Sequence, residues 1–316
     1  MIKQTRIILS IKLAEIKAIK SWLGIALLAS ILAGCSTTPV EPDKAEPKTV
    51  APAALKRAPK IGLALGGGAA RGFAHVGVIQ VLEEAGVRPS LVAGTSAGSL
   101  VAAMYAGGKS GAQLQQVAET MEEAAFADWT LPLFNRGMLR GDALARYVNS
   151  QLGGRLIEDL PMPLGIVATD LHNGRSVLFQ RGDTGTAVRA SSAVPALFQP
   201  VRISGRDYVD GGLVSPVPVR SARAMGAELV IAVDISSEPE GNSALDTLDI
   251  LLQTFSIMSK SINTFELRDA DVVIKPSLMS MGSSDFRSRR RAIEAGRVAM
   301  LAQLPSLKAK IEQLSR

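Results

Sequence analysis

Ser96 stands at the centre of Gly94-Thr95-Ser96-Ala97-Gly98, a Gly-x-Ser-x-Gly spacing that presents a hydroxyl nucleophile on a sharp turn between a strand and a helix. The apolar run Leu91-Val92-Ala93 before it and Ser99-Leu100-Val101-Ala102-Ala103-Met104 after it supply that strand and that helix. Gly94 and Gly98 let the backbone turn tightly and hold the hydroxyl clear of the chain. A second turn, Gly66-Gly67-Gly68-Ala69-Ala70-Arg71-Gly72, lies about one βα unit earlier. Backbone N–H groups in such a turn suit an oxyanion that develops when an ester carbonyl is attacked. The two turns together predict acyl transfer through serine.

A serine hydroxyl needs a base at neutral pH. The chain has two histidines, His75 and His172. The α/β-hydrolase order of serine, then acid, then histidine fails here, because no histidine follows Asp210. His75 lies in the first turn after the Gly loop, a position that suits packing or capping. His172 lies in Thr169-Asp170-Leu171-His172-Asn173-Gly174, which reads as a turn after a strand. Asp210 is better placed. It ends Tyr208-Val209-Asp210 and precedes Gly211-Gly212, at the carboxyl edge of a strand where α/β sites form. An aspartate, with a reference pKa of about 3.9, serves as a base for serine only in a desolvated site whose oxyanion is stabilised at the same moment.

The Gly-rich turn with Arg71 and Gly72, Gly-Thr-Ser-Ala-Gly, Ala190-Ser191-Ser192-Ala193-Val194-Pro195 and Asp210-Gly211-Gly212 occur in this order. The set resembles the patatin-like phospholipase family over roughly residues 61–234, and within it the short bacterial branch. The resemblance implies a three-layer α/β/α sandwich and lipid acyl hydrolysis without a metal or other cofactor. It implies Ser96 as nucleophile, Asp210 as base, and the N–H groups of Gly67, Gly68 and Ala69 as oxyanion hole. Many members carry Gly where this chain has Ala69, a substitution that is costly only if the turn needs a positive φ.

Other residues carry two readings each. Arg71 either holds the loop through a salt bridge or meets a phosphate. Asp170 reads as a turn former or a pocket acid. The run Phe286-Arg287-Ser288-Arg289-Arg290-Arg291 reads as a solvated helix start or a contact for anionic head groups. Trp129, Leu131, Leu133 and Phe134, broken by Pro132, form an apolar loop that is either a lid or core.

These residues need a parallel sheet to hold them. Buried strands are expected at Ile61–Leu65, Leu91–Ala93, Leu164–Ala168, Glu228–Ile235 and Asp271–Ile274. Shorter ones are expected at Ser176–Phe179, Val201–Ile203 and Tyr208–Val209. Helices are expected at Phe73–Ala85, Asp142–Leu152, Val217–Met225, Ala244–Leu267 and Arg289–Leu304. Strands alternating with helices predict a mostly parallel sheet covered on both faces.

Residues 1–34 read as an address. Lys3, Arg6, Lys12, Lys17 and Lys20 face one acid, Glu15, and an apolar run from Trp22 to Leu32 follows. That run is shorter than the roughly 20 residues a bilayer span needs. Leu32-Ala33-Gly34-Cys35 resembles a bacterial lipobox, which implies a lipidated Cys35, membrane attachment, and with Ser36 an outer-membrane, periplasm-facing location. Cys35 is the single cysteine, so no intrachain disulfide forms. Residues 35–60, rich in Pro, Ala, Lys and Thr, read as a tether, and residues 61–316 as the acyl hydrolase domain. The formal charge is +6. The leader accounts for +4 of it, from five bases and one acid, so 30 Lys and Arg face 28 acids in the remainder. That near balance gives no footprint for nucleic acid.

A P-loop is excluded because no Gly-Lys-Ser/Thr follows Gly72, and a dinucleotide site because the second strand ends in Gly94-Thr95-Ser96 rather than an acid. The expected activity is hydrolysis of a phospholipid or lysophospholipid ester. A thioesterase or acyltransferase using the same acyl-enzyme, and a non-catalytic envelope lipoprotein that binds lipid or a partner, are the alternatives.

Overall fold

The first strand, β1 (Ile61–Leu65), is buried along its whole length, and its alternate residues serve two different layers. Leu63 and Leu65 join one core while Ala64 joins another. The same alternation runs through β2 (Leu91–Thr95), where Val92 faces the first core and Leu91 and Ala93 the second, and through β9 (Leu229–Val233). A strand buried on both faces reads as a continuous apolar run, as these do. The structure is a computed structural model that describes residues 57–121, 128, 137–237, 247–278, 281, 282 and 284–315. The expected leader, Cys35 and the Trp129–Phe134 loop lie outside the described residues.

The sheet is ordered β10-β9-β1-β2-β4-β8-β7, with β4 (Leu164–Asp170), β7 (Val201–Ile203), β8 (Arg206–Asp210) and β10 (Val272–Ile274). From β10 to β4 every pairing is parallel. The β4–β8 and β7–β8 pairings are antiparallel, as is that of β5 (Ser176–Phe179) with β4. A short parallel ribbon, β3 (Gly137–Leu139) with β6 (Ala196–Phe198), stands apart.

One face carries α1 (Ala74–Glu84), α2 (Ala97–Ala106), α3 (Gly111–Thr120), α4 (Asp142–Leu152), α5 (Thr184–Ser191) and α8 (Arg289–Leu314), whose buried side chains share the larger core. The other carries α6 (Val219–Ala224), packed on Ala64, Ala93 and Ala232. The strands present Leu, Val and Ile to the thick layer and mostly Gly and Ala to the thin one, which lets α6 settle close. The result is the expected three-layer α/β/α sandwich with a mostly parallel sheet. A 20-residue helix, α7 (Thr247–Glu266), lies outside both cores.

Several boundaries differ from the periodicity. Arg57 to Lys60, expected as the end of a tether, are held on the domain. Arg57 pairs with Glu228 at 2.7 Å, Lys60 N–H donates to the same carboxylate at 2.7 Å, and Pro59 is buried. Helix α8 continues through Pro305 to Leu314. A proline inside a helix removes one backbone hydrogen bond, but Leu307, Ile311 and Leu314 beyond it pack on the core and hold the axis.

Candidate active site

The turn at Ser96 is fixed by two close approaches. A Cβ at Gly94 would come within 2.6 Å of the Ser99 Cα, and one at Gly98 within 2.6 Å of the Gly66 carbonyl oxygen. The backbone of Ser96 between them takes φ 51°, ψ −123°, a conformation that side-chain-bearing residues rarely adopt. It is held from both sides. Ser96 N–H donates to Ser191 Oγ at 2.9 Å, and the Ser96 carbonyl accepts from Ser99 N–H at 2.8 Å and Ser99 Oγ at 2.6 Å. The side chain is therefore projected from a pinned frame at the N-terminus of α2, and the residue keeps partial exposure.

Asp210 reaches Ser96 through the register of β4. Residues 166 and 167 pair with β2 along one edge and with β5 along the other. Residues 168 and 169 still pair with β5, so β8, which pairs with them too, occupies the edge that β2 has vacated. The C-terminal end of β8 thereby meets the C-terminal end of β2, and Asp210 meets Ser96. Gly211 permits this, because a Cβ there would sit 2.8 Å from the Val167 carbonyl carbon and 3.1 Å from Thr95 Cγ2. Thr169 Oγ1 donates to the Asp210 carbonyl at 2.8 Å, and Asp210 N–H donates to the Ala193 carbonyl at 3.0 Å.

The Asp210 carboxyl is only 1% exposed. Burial pushes its pKa up to about 6, while the Gly212 N–H and the Ser96 hydroxyl draw it back down. Gly212 N–H donates to Oδ1 at 2.7 Å, and Oδ2 has no partner at full hydrogen-bond geometry. The Ser96 hydroxyl thus lies close enough to act on the carboxylate without closing a full hydrogen bond. A carboxylate titrating near neutrality is a far better proton acceptor than one at its ordinary value.

The Gly loop lies against Ser96. A Cβ on Gly67 would stand 3.2 Å from Ser96 Cβ. The loop departs from the expected trio of donors in one respect. Gly67 N–H donates to the Pro216 carbonyl at 2.9 Å, as Gly66 N–H does to Val233 at 3.0 Å, continuing the edge of β1. The N–H groups of Gly68 and Ala69 donate to no carbonyl among the described residues, and both residues are accessible. Ala69 has φ 50°, so its methyl group occupies the region where the sequence anticipated a cost. Arg71, nearly buried, donates from Nε to the Gly68 carbonyl at 3.3 Å and lies near Asp234. It braces the loop from behind, and Gly72 packs against Ala97.

The histidines are placed elsewhere. His75 is fully buried and donates from Nε2 to the Gly66 carbonyl at 2.8 Å, with Nδ1 unpartnered. Burial lowers its pKa to about 4, so the ring is neutral and supports the Gly loop. His172 is exposed in the turn that Asp170 organises. Asp170 accepts from Arg206 at 2.8 Å and from the His172 N–H and Asn173 side chain, which hold it below the usual carboxylate range. It is a turn former. Arg289 likewise is structural, since its Nη1 caps α3 through the carbonyls of Ala118, Glu119 and Met121. Among the described residues no cluster of His, Cys, Asp and Glu has a metal-holding arrangement.

Sequence reasoning missed Ser191 as a site residue. Its Oγ accepts from Ser96 N–H and donates to the Val167 carbonyl at 2.5 Å, tying the elbow to β4. Its presence in Ala-Ser-Ser-Ala-Val-Pro was the available signal.

A family model for patatin-like phospholipases matches residues 63–223. An uncharacterised NTE-family protein of Mycobacterium tuberculosis is 38% identical over 208 residues, covering 60% of this chain and 54% of that protein. The mouse patatin-like phospholipase domain-containing protein 6 is 34% identical over 231 residues, or 71% of this chain and 16% of its own length. The chain thus spans about half the mycobacterial relative and a small part of the mouse one. The crystal structure of VipD from Legionella pneumophila superposes with a TM-score of 0.56 at 16% identity, over 78% of this chain and 67% of that one, and shares the fold. Because the family model covers just over half of the 316 residues, this chain belongs to the patatin-like phospholipase family.

Proposed function

We propose that this protein hydrolyses acyl esters of membrane lipids through Ser96 and Asp210. The observation that carries the reading is the meeting of the two strand ends, which sets a pinned serine beside a buried carboxylate whose pKa is raised to about 6. Ser96 Oγ attacks the ester carbonyl carbon while its proton passes to Asp210. The carbonyl electron pair moves onto oxygen, where the N–H groups of Gly68 and Ala69 stabilise it. Collapse breaks the ester bond, and the leaving alcohol takes the proton from Asp210. Water then attacks the acyl-enzyme, giving its proton to Asp210, and the fatty acid departs as Ser96 recovers that proton. The first half of this cycle serves a thioester or an acyltransferase equally, since only the leaving group or acceptor differs.

Incubation with mixed phospholipid vesicles, with fatty-acid release as readout, tests the reading. Release by the wild type and its loss by at least about 10³-fold in both Ser96→Ala and Asp210→Asn are expected. Full release by either variant overturns the dyad. We further propose, from the sequence alone, that Cys35 is lipidated and attaches the protein to the outer membrane facing the periplasm. Cys35→Ala is expected to move activity from the membrane to the soluble fraction, and retention in the membrane fraction counts against that anchor.

A further inference from the structure

Helix α7 is built inside out. The side chains it turns towards the domain are largely polar. Ser259 Oγ donates to the Gly212 carbonyl, Glu266 accepts from Ser215 Oγ at 2.8 Å, and Asn263 Nδ2 donates to Asp234 Oδ1 at 3.3 Å. Its outward face carries Ile250, Leu251, Ile257, Met258 and Phe265, each between 42% and 59% exposed. These recur at the spacing of a single helical stripe. A surface helix normally shows the reverse arrangement, so among the described residues this face lacks a partner.

We infer that this outward face of α7 docks on a lipid bilayer with anionic head groups. Three observations favour that occupant. First, among the described residues of α7 that are exposed, none is acidic and Lys260 is the charged one, while Arg268 just beyond the helix lies over the Phe265 ring at 5.1 Å. Apolar side chains flanked by cations are what interfacial helices present to head groups. Second, the exposed stripe amounts to about 400–500 Å² of apolar side chain at half exposure, against roughly 800 Å² per partner in a stable protein interface. A second copy of the chain is therefore poorly served by it. Third, the partners that Ser259, Asn263 and Glu266 find on the domain lie in the segments that follow β8 and β9, at the sheet edge on which Ser96 stands. Phe255 packs on Gly212, two residues from Asp210 in sequence, so the helix that would carry the bilayer contact stands beside the Asp210 end of the site. The value of this placement for turnover rests on the lipid-ester reading of Ser96; the docking itself does not.

The single cysteine makes a site-specific test direct. In the full chain carrying Cys35→Ala and Ser96→Ala, a nitrobenzoxadiazole probe is attached at Ile257→Cys, and in a parallel sample at Val298→Cys on α8. Vesicles of phosphatidylcholine and phosphatidylglycerol are then added. The expected result is a blue shift and a rise in emission of at least about twofold at position 257, with no change at 298. No change at 257, or equal changes at both, overturns the proposal. A blue shift at 257 that appears without vesicles as protein concentration rises identifies a second copy as the occupant and also overturns it. Because the serine is absent, this result stands whether or not the lipid-ester reading does. In the otherwise native protein, the ratio of vesicle hydrolysis to p-nitrophenyl butyrate hydrolysis is expected to fall about tenfold in Ile257→Ser/Phe265→Ser. An unchanged ratio overturns a role for the face in turnover, and hydrolysis of neither ester by the wild type overturns the reading of Ser96 instead.

Discussion

Ser96 holds φ 51°, ψ −123°, and backbone conformations of this kind cost on the order of 1–3 kcal/mol in a residue with a Cβ. Ser96→Ala removes the hydroxyl but keeps the strain. Ser96→Gly relieves it, less the roughly 0.5–1 kcal/mol that glycine's greater freedom in the unfolded chain takes back. The glycine variant is therefore expected to exceed the alanine variant in stability by about 1 kcal/mol, with both inactive, as measured by urea denaturation. Asp210 behaves in the same spirit. Its pKa rises from 3.8 to about 6 on folding because the charged form is buried. A raised folded pKa contributes stability that is complete below the unfolded value and lost as pH rises through the folded one. At pH 8 the ionised carboxylate thus costs up to about 3 kcal/mol, taking 1.36 kcal/mol per unit. Asp210→Asn, which keeps an acceptor for the Gly212 N–H, is expected to melt above the wild type at pH 8, and that advantage to vanish between pH 6 and 4. On the proposed reading Asp210 is the base and works deprotonated, so the rate of fatty-acid release is expected to fall about tenfold per pH unit below about 6. A melting difference independent of pH, or a rate flat to pH 4, contradicts the assignment.

At the scale of elements, the site depends on how strands end. The seven residues of β4 outlast the five of β2, and the surplus length is what β8 pairs with. Ser191, at the end of α5, then clamps Ser96 N–H to the Val167 carbonyl. Ser191→Ala takes one partner from each group, a loss of about 1–3 kcal/mol for buried polar groups. It is also expected to slow fatty-acid release by about tenfold or more, because the elbow frame loosens. A variant with wild-type turnover rules out this clamping role. The helix that carries Ser191 was hard to read from sequence. Thr184, Gly185, Thr186 and Val188 are poor helix formers, and the helix forms because Asp183 caps it and Gly185 lets it press on α4. Helix α3 carries one local signal in its sequence, the capping box of Ser110 and Gln113.

At the scale of the whole molecule, α8 closes the thick layer by crossing α1 backbone to backbone. A Cβ on Gly296 would come within 2.9 Å of the Ala74 carbonyl carbon, and one on Gly77 within 2.8 Å of Arg297 N. Neither helix can give way without disturbing the core beneath β1 and the Gly loop that leads into α1. Gly296→Leu is expected to lower stability by more than about 3 kcal/mol and the melting temperature by roughly 10 °C. A shift under about 2 °C in a thermal melt shows that the two helices can separate without consequence.

The sequence by itself determined the parts whose signals are local. Buried strands announce themselves as apolar runs, the elbow by its glycines and serine, and Asp210 by the strand end and the glycines that follow it. The parallel, doubly covered sheet followed from alternation alone. Tertiary structure decided what depends on contacts distant in the chain. Ser96 N–H meets Ser191 across 95 residues, and Thr95 Oγ1 meets the Ser215 carbonyl across 120. Pro216, far along the chain, takes the Gly67 N–H and so selects which donors of the Gly loop remain free. The apolar outer face of α7 was equally hidden, because periodicity reveals that a helix has an apolar side but not which side the domain will use. Burial is read from neighbours along the chain, whereas pairing and orientation are set by which surfaces meet once the core has closed.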